Sequence, residues 1–516
     1  MSQTEVQSPR HILDSEHDPR ILRDLAKMMD AEIKRLNSVI KTIQDEKAKA
    51  AQEKVNLEES LKILRNKYFG KSSEKSPKER KRDRMNDDPE LTLHSQNLVP
   101  PPTKKEIRDL ESEVLVHDAS DEDLKSMSES LDLENPSANQ WEEISGLFDQ
   151  SVEINIIERR YKKVIHKKKK YRLKKEFQLQ EKQVLISAPG PVKFVPGSSY
   201  STEVVVSTIV DKYLNHIPLE RQCRIMDSLG LHNIHTQVLY NLARLASEYL
   251  APIAERIKNE ILSHALVHSD ETPWPINNSK DSDGYMWIIS NNRGSYYRFE
   301  PTRSGKVIKE TLGDFKGTVM TDGYSGYYQF KKSQTKNLAL CHAHARRYFW
   351  DIKEIYPQVQ FILALWEELF KIEYLARNFD ELREIRNQRS RPIIDKMRAW
   401  LFEQWPEARA ESELQKAMAY TMNHWTELTK FLVDPIIPLS NNEAERTIRQ
   451  AVMGRKNFYG SRSIDGADVA AIMYTVIESC KKFELDPREY LLITLKKASA
   501  GEPTETPFEM AKRLRQ

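Results

Sequence analysis

Apolar residues recur every seven positions near the start of the chain. One series is Leu22, Met29, Leu36, Ile43, Ala50, Leu57 and Leu64, and its companion is Ala26, Ile33, Ile40, Lys47, Lys54, Leu61 and Tyr68. This spacing is typical of a long helix that pairs with another helix, so residues 21–69 are predicted to form a coiled coil that joins subunits. Because two lysines interrupt the stripe, one amphipathic helix that folds back on its own protein is the alternative.

A polar composition replaces this pattern further on. Residues 70–150 are rich in Lys, Ser, Asp and Glu, and they are predicted to form a mostly disordered linker, with a disordered tail at residues 1–20. In residues 151–198, β-branched and aromatic residues alternate with many Lys and Arg residues, which predicts a small basic β module. Such charge would attract a nucleic-acid backbone, although a solvated surface has the same composition. The candidate DNA contacts here are Lys168, Lys169, Lys170 and Arg172.

Helical periodicity prevails over residues 199–262. Pro218 is expected to open one helix, Gly230 to close it, and the polar segment 233–237 to start another. The spacing allows a DNA-binding helix-turn-helix, and an ordinary helical hairpin that connects to the next domain is equally compatible with it.

Residues 263–347 alternate between β-like runs and turns. Three runs, ALVHSDETPWPI, YMWIISN and SYYRFEP, precede a predicted helix from Ser304 to Leu312, and GTVMTDGYSGY and NLALCHAHARRYFWDI follow it. These runs predict an α/β domain with a mixed sheet, in an order of elements that resembles an RNase H-like core. Asp270 and Asp322 are each expected to end a strand, where an acid can also be a simple turn former.

Amphipathic helices are predicted for the rest of the chain. Residues 348–437 would form a helical insertion, whose tryptophans are expected in its core. Residues 438–516 would complete the sheet domain with helices that pack against the sheet. The first of these helices begins at a pair of asparagines that can cap it, and it carries Glu443 and Glu445.

The acids of these separate elements indicate a metal-dependent reaction. Three carboxylates suit two hard divalent cations, which can cut or join a phosphodiester without a covalent enzyme intermediate. The sequence offers Asp270, Asp322 and either Glu443 or Glu445. Nearby basic residues are expected to hold phosphates. These are Arg446, Arg449, Arg455, Lys456 and Arg347. The residues expected to support the acids are Glu271, His344 and Asn442.

Cysteine usage and overall charge add limits. Cys341 and His344 have the spacing of a metal-ligand pair, but no second pair of matching spacing lies nearby, so zinc is not expected. Three scattered cysteines in 516 residues favour a reducing cytosol over a disulfide framework. No apolar run approaches the roughly 20 residues that cross a bilayer, so we expect a cytoplasmic protein without a membrane partner. The net charge of +3 hides local blocks of each sign.

Six segments in a fixed order resemble the transposases of the insertion sequence 66 (IS66) family, which are bacterial DDE enzymes. They are HSDETPWP, TDGYSGY, CHAHARRYF, NNEAERTIR, GRKNFYGS and DPREYL. The segments YFGKSSEK and DKYLNHIPLERQ are also similar to the family's pattern. The resemblance implies that the DDE triad is Asp270, Asp322 and Glu445, because Glu443 stands where the family's pattern is variable. Glu443 is the second choice.

One segment departs from the family's pattern. The family usually carries a small zinc-binding cysteine module before its helical region, and KYRLKKEF here has Leu173 and Glu176 where cysteines are expected. The resemblance therefore implies a basic remnant without zinc, held together by strand pairing.

The resemblance implies a transposase that uses two Mg²⁺ or Mn²⁺ ions to cut the ends of an insertion sequence and to join them to target DNA. Its partners would be the element ends, the target DNA, a second copy bound through the coiled coil, and accessory proteins of the element. A bacterial, nucleoid-associated location follows. The alternatives are a silent DNA-binding descendant, an RNase H-like nuclease, and a coiled-coil scaffold in which the acids are structural.

Overall fold

A computed structural model describes residues 19–69, 120–122, 125, 159–172, 185–187, 194, 198–277, 284–330 and 337–515. Most of the predicted tail and most of the predicted linker lie outside the described residues, as do Leu173 and Glu176. Pro19 and Arg20, the last two residues of the predicted tail, are helical. The chain divides into two compact units. The first comprises Met1–His94, Leu250–Pro487 and Glu505–Gln516, and the second comprises Ser95–Tyr249 and Arg488–Thr504.

A single helix, α1 (Pro19–Phe69), forms the N-terminal part of the first unit. Its 51 residues span about 75 Å at the usual rise of an α-helix. The predicted long helix is therefore confirmed. Apolar residues of the heptad series are exposed along it, from Met29 to Leu64.

The second unit contains two short strands, β1 (Lys170–Arg172) and β2 (Leu185–Ser187), which pair in antiparallel fashion. Helices α2 (Thr202–Tyr213), α3 (Leu219–Ser228) and α4 (Thr236–Leu262) follow, and α4 continues into the first unit. Pro218 caps α3 and Gly230 follows it with a φ of 85°, as the sequence predicts. Met226, Ile234 and Leu239 form a buried cluster between these elements.

The first unit is built on a five-stranded mixed sheet. Its strands are β3 (Leu266–Trp274), β4 (Gly284–Asn291), β5 (Gly294–Glu300), β6 (Thr318–Thr321) and β7 (Asn337–Leu340). Their order in the sheet is β5-β4-β3-β6-β7. β3 pairs in parallel with β6, and β6 with β7, whereas β4 is antiparallel to both of its neighbours. The predicted mixed sheet is confirmed.

Helices follow the strands in chain order. Helix α5 (Gly305–Leu312) connects β5 to β6, as predicted, and the side chain of Ser304 caps it. The helices that follow β7 along the chain are α6 (His342–Ile352), α7 (Val359–Glu373), α8 (Phe379–Ile385), α9 (Arg391–Gln404), α10 (Glu413–Asn423), α11 (Trp425–Leu428), α12 (Asn442–Phe458), α13 (Ile464–Lys482), α14 (Pro487–Ser499) and α15 (Pro507–Arg515). Helix α12 packs on β3 and β4, and α13 packs on β5.

Helices α7 to α11 form the insertion. Trp366 and Trp400 are buried in it, as expected, whereas Trp405 and Trp425 are half-buried. A π-helical turn, Arg386–Ser390, connects α8 to α9 and buries Arg386 completely. This guanidinium pairs with Glu373 and donates to the carbonyl of Phe431 at 2.8 Å, so the buried charge has partners on two sides.

The C-terminal half of α1 contacts the insertion through polar residues. Asn56 donates to the carbonyl of Ala410 at 3.2 Å, and Ser60 donates to Glu413 at 3.1 Å. Glu59 accepts a hydrogen bond from Tyr356 at 2.8 Å and pairs with Arg409. Helix α1 therefore does rest partly on its own chain, but not through its apolar heptad stripe.

One boundary differs from the prediction. Strand β3 does not end at Asp270 but continues to Trp274, because its antiparallel pairing with β4 continues to Gly284. Asp322 does follow the last residue of β6. Within the described part of the chain, no helix is both long enough and apolar enough to span a bilayer.

Candidate active site

Asp270 on β3 and Asp322, directly after β6, lie side by side. The parallel pairing of β3 with β6 places His268 opposite Met320, and each aspartate comes two residues later. Side chains two residues apart on a strand lie on the same face of the sheet. If the register continues by two residues, the carboxylates of Asp270 and Asp322 are neighbours on one face of the sheet. The Asp270 carboxylate accepts the N–H of Glu271 at 2.9 Å, and that of Asp322 accepts the N–H of Tyr324 at 2.9 Å. Both side chains are half-buried.

Helix α12 brings Glu445 to these aspartates. The helix is anchored by Asn441, which is fully buried and precedes its first residue. The Asn441 side chain donates to the carbonyl of Ser269 at 2.9 Å and contacts the His268 ring at 3.0 Å. Its backbone carbonyl accepts the N–H of Glu445 at 3.1 Å. The start of α12 is thus fixed to the strand that carries Asp270.

The four acids of this region act on one another. The pKa of Asp270 lies well above its ordinary value, because its surroundings keep much of the water from the carboxyl and because Glu271, Asp322 and Glu445 add negative charge around it. A site that raises the pKa of a carboxyl in this way disfavours its charged form until a cation neutralises it. These residues could therefore hold divalent cations, and their oxygen donors are the kind that Mg²⁺ and Mn²⁺ prefer.

Glu443 is engaged on the other side of α12. It pairs with Lys482 of α13 and accepts a hydrogen bond from Ser290 of β4 at 3.0 Å. Lys482 also donates to Ser290 at 2.8 Å and to the carbonyl of Asn291 at 2.9 Å. Burial alone would raise the pKa of Glu443, but the Lys482 ammonium outweighs it and the pKa falls to about 2. Glu443 is thus part of a largely buried ion pair.

Glu271 lies beneath the aspartates rather than beside them. It accepts hydrogen bonds from Arg303 at 2.7 and 2.9 Å and from the Tyr327 hydroxyl at 2.7 Å. The Tyr327 hydroxyl also contacts the hydroxyl of Ser269 at 3.2 Å. Burial raises the pKa of Glu271, while these donors oppose that effect. Sequence reasoning missed Arg303 and Tyr327, although the tyrosine stands in the same TDGYSGY segment as Asp322.

The insertion also reaches this region. Tyr420 of α10 donates to the backbone carbonyl of Asp322 at 2.7 Å. Gly323, the next residue, has a φ of 91°, and a Cβ there would lie 2.5 Å from the Tyr420 hydroxyl oxygen. The tyrosine therefore packs directly against the turn that follows β6.

The predicted basic contacts divide into two groups. Arg446, Arg449, Lys456 and Arg347 are exposed. Arg455 instead donates to Thr272 at 3.2 Å and to the carbonyl of Pro273, which ties α12 to the end of β3. In the second unit, Lys168, Lys169 and Lys170 are exposed, and the side chain of Arg172 lies outside the described part. Asn442, an expected supporting residue, is half-buried at the first position of α12.

A second set of potential metal ligands adjoins the acids. One ligand atom from each of Cys341, His344 and Glu445 lies within 4.8 Å of the other two. The His344 Nδ1 atom is 3.6 Å from the Glu445 carboxylate, and both side chains are partly exposed. The sequence offered only the first two of these ligands, because Glu445 is about a hundred positions further along the chain.

Comparisons with known proteins agree with the resemblance. Three uncharacterized proteins of Sinorhizobium fredii are similar to this chain, and each alignment covers about two thirds of both proteins. The protein y4jD is 28% identical over 63% of this chain and 68% of its own length. The protein y4hP is 26% identical over 66% of this chain and 66% of its own length. The protein y4qI is 25% identical over 69% of this chain and 69% of its own length. A family model described as "Transposase IS66 family" matches residues 197–469, which is more than half of the chain. The chain therefore belongs to the IS66 family of transposases.

Proposed function

We propose that this chain is a DDE transposase that cuts the ends of an insertion sequence and joins them to target DNA. Membership of a transposase family supports a role in cutting and joining DNA. The observation that carries the finer proposal is the effect of Asp322 and Glu445 on Asp270, whose pKa they help to raise. Two adjacent strands and a helix supply these three acids, and all three would act on one phosphodiester.

The proposed catalytic residues are Asp270, Asp322 and Glu445, which would hold two Mg²⁺ or Mn²⁺ ions. When bound, such ions activate an attacking oxygen and stabilise the leaving oxygen of a phosphodiester. Glu443 is excluded from this role in our proposal, because Lys482 and Ser290 already satisfy its carboxylate. Glu271 would hold β3 and the turn after β6 in position through Arg303 and Tyr327.

The exposed basic residues beside the acids would bind the DNA backbone. Arg446 and Arg449 follow Glu445 on α12, and Arg347 follows His344 on α6. Their charges would hold phosphates on either side of the scissile bond. Water would attack first, at the element end, and the freed 3′-hydroxyl would then attack the target strand. The basic segment that leads into and forms β1 would add sequence-independent contacts through Lys168, Lys169, Lys170 and Arg172.

We further propose that the sheet is an RNase H-like core, interrupted by the insertion between β7 and α12. The strand order is β5-β4-β3-β6-β7, with Asp270 on the central strand β3 and Asp322 directly after its neighbour β6, and this arrangement supports the proposal. Helix α1 would pair with a second copy in a coiled coil. In its support, the apolar heptad stripe is exposed, and Leu57 and Leu61 each keep 63% of their surface.

A strand-transfer assay tests the proposal. Labelled end DNA is incubated with the full-length protein, a target plasmid and Mg²⁺ or Mn²⁺. We expect the Asp322→Ala variant to lose both nicking and joining, because one cation ligand is gone. The control is Asp314→Ala, which removes an exposed acid that follows α5. An Asp322→Ala protein that still joins ends in Mg²⁺ would refute the metal assignment, and a wild-type protein that binds ends without cutting them would be a silent descendant.

A further inference from the structure

Cys341, His344 and Glu445 come from the starts of two helices in the first unit. Cys341 lies between β7 and α6, His344 is in the first turn of α6, and Glu445 is in the first turn of α12. Residues three apart at the start of a helix lie on the same side of it, so the sulfur and the imidazole face one point. Glu445 closes the group from the facing helix, with ligand atoms that all lie within 4.8 Å of each other.

The sulfur of Cys341 is fixed before any ligand arrives. Cys341 is fully buried, and the backbone N–H of Asn441 donates to its Sγ atom at 3.1 Å. The backbone N–H of His342 also bonds to the carbonyl of Leu439 at 2.8 Å, which joins the start of α6 to the segment before α12. Burial raises the pKa of the Cys341 thiol to about 12, while this N–H donor opposes the shift, and amide N–H groups play the same role around metal-bound cysteines. A bound cation would supply the rest of the stabilisation of the thiolate.

The imidazole of His344 has an unused nitrogen. Its Nδ1 atom is buried, and within the described part of the chain it has no hydrogen-bond partner. The closest acid, Glu445, is 3.6 Å away, which is too far for a hydrogen bond. A buried polar atom without a partner costs free energy, so its presence here points to a ligand.

We infer that Cys341, His344 and Glu445 bind one thiophilic divalent cation of the Zn²⁺ class. Sulfur, imidazole and carboxylate are the usual zinc ligands, and three protein ligands leave a fourth position for water or a DNA phosphate. Mg²⁺ avoids sulfur, so this site is chemically distinct from the site of hard cations at Asp270 and Asp322. On binding, the thiol proton passes to water and the sulfur coordinates as a thiolate.

The two sites share Glu445. A cation held by Cys341 and His344 would draw this carboxylate away from the aspartates, so Zn²⁺ would inhibit a reaction that depends on Mg²⁺. This consequence rests on the proposed function, whereas the binding of the soft cation does not.

Cadmium and cobalt titrations of the full-length protein test the site without DNA. Both ions replace Zn²⁺ at thiolate sites and produce sulfur-to-metal charge-transfer absorption. We expect one equivalent of Cd²⁺ to produce this absorption in the wild type and in Cys223→Ser, the matched control. Cys341→Ser should lose it. His344→Ala and Glu445→Gln should keep a weaker band, with an affinity lowered about tenfold or more.

Three results would overturn the assignment: no charge-transfer band in the wild type, an unchanged band in Cys341→Ser, or unchanged affinity in both His344→Ala and Glu445→Gln. If Cys341→Ser does not fold, the last two variants decide, because they keep the sulfur.

A nicking assay in Mg²⁺ then tests whether Zn²⁺ inhibits the reaction. Zn²⁺ should slow the wild type by about tenfold or more, and Cys341→Ser by roughly twofold or less, each relative to its own rate without Zn²⁺. If the charge-transfer band appears but Zn²⁺ does not inhibit nicking, the metal site stands and the proposed competition of the two sites for Glu445 is refuted.

Discussion

The side-chain amide of Asn441 donates a hydrogen bond to the backbone carbonyl of Ser269, at 2.9 Å, and Ser269 immediately precedes Asp270. Because Glu445 lies in the first turn of the helix that begins after Asn441, this one contact joins the third acid to the strand of the first. A second contact, from the Asn441 N–H to the sulfur of Cys341, joins the same point to the end of β7.

Loss of this anchor should lower both activity and stability. We expect Asn441→Ala to reduce the nicking rate in Mg²⁺ by roughly 10- to 100-fold, as other residues that orient metal ligands do. The unfolding free energy should fall by about 1–3 kcal/mol, since buried partners lose a hydrogen bond. Asn442→Ala, one residue away and half-buried, is the control and should have a smaller effect on both. Equal losses in the two variants would contradict a special role for Asn441.

Neutralising Asp270 should stabilise the metal-free protein. The pKa of this carboxyl is raised above 3.8 in the folded state, so the fold favours its protonated form. The contribution of this carboxyl to the free energy of unfolding is therefore fully present below about pH 3.8, and it is lost as the pH rises through the folded-state pKa of Asp270. Asp270→Asn lacks this loss, and its melting temperature should exceed that of the wild type by an amount that grows with pH.

Divalent cations should reverse that difference. Mn²⁺ binds the folded wild type and raises its melting temperature by mass action, while Asp270→Asn should respond weakly. Scanning fluorimetry across pH, with and without Mn²⁺, measures both effects. Asp395→Asn, an exposed change on α9, should match the wild type throughout. A wild-type melting temperature that Mn²⁺ leaves unchanged would favour a scaffold with structural acids.

The two glutamates of α12 should give opposite phenotypes. Glu443→Gln leaves Lys482 without its charge partner, so we expect a loss of about 3–5 kcal/mol in the unfolding free energy. Adding Lys482→Met should recover most of it, because no unpaired buried charge then remains. Glu445→Gln should keep the melting temperature and abolish nicking. A stable, inactive Glu443→Gln protein beside an active Glu445→Gln protein would exchange the two assignments.

Helix α1 should hold two copies of the chain together through its apolar stripe. Leu57 and Leu61 are each two residues from Glu59, and two residues turn a helix by about 200°. The contact of Glu59 with the insertion therefore leaves the apolar side open. We expect Ile40→Glu with Ile43→Glu to shift the protein from dimer to monomer in analytical ultracentrifugation. Ser38→Glu should remain dimeric, and a wild-type protein that sediments as a monomer would contradict the coiled coil.

Local sequence patterns predicted most elements and the acids, because those signals are short in range. The heptad of α1, the helix that ends at Leu312 and the position of Asp322 after β6 all depend on residues close in sequence. The prediction that β3 ends at Asp270 was wrong, because the length of this strand is set by its pairing with β4, which no local pattern specifies. Spacing alone could not choose between Glu443 and Glu445, because the partner of Glu443 is Lys482 on another helix.

The roles of Asn441, Arg303 and Tyr420 were also beyond local reasoning. Each makes a hydrogen bond to a segment far away in sequence, and two of these bonds end on backbone carbonyls, which carry no sequence signal. Residues of this kind become visible only once the chain is folded.

The hydrogen bond from Tyr420 to the Asp322 carbonyl sets a limit on how far this enzyme can be shortened. A truncated version that joined β7 directly to α12 would keep Asp270, Asp322 and Glu445, but it would lose the Tyr420 hydroxyl that holds the backbone of Asp322. Minimal versions of this transposase therefore need to retain helix α10, even where the remaining helices of the insertion are replaced.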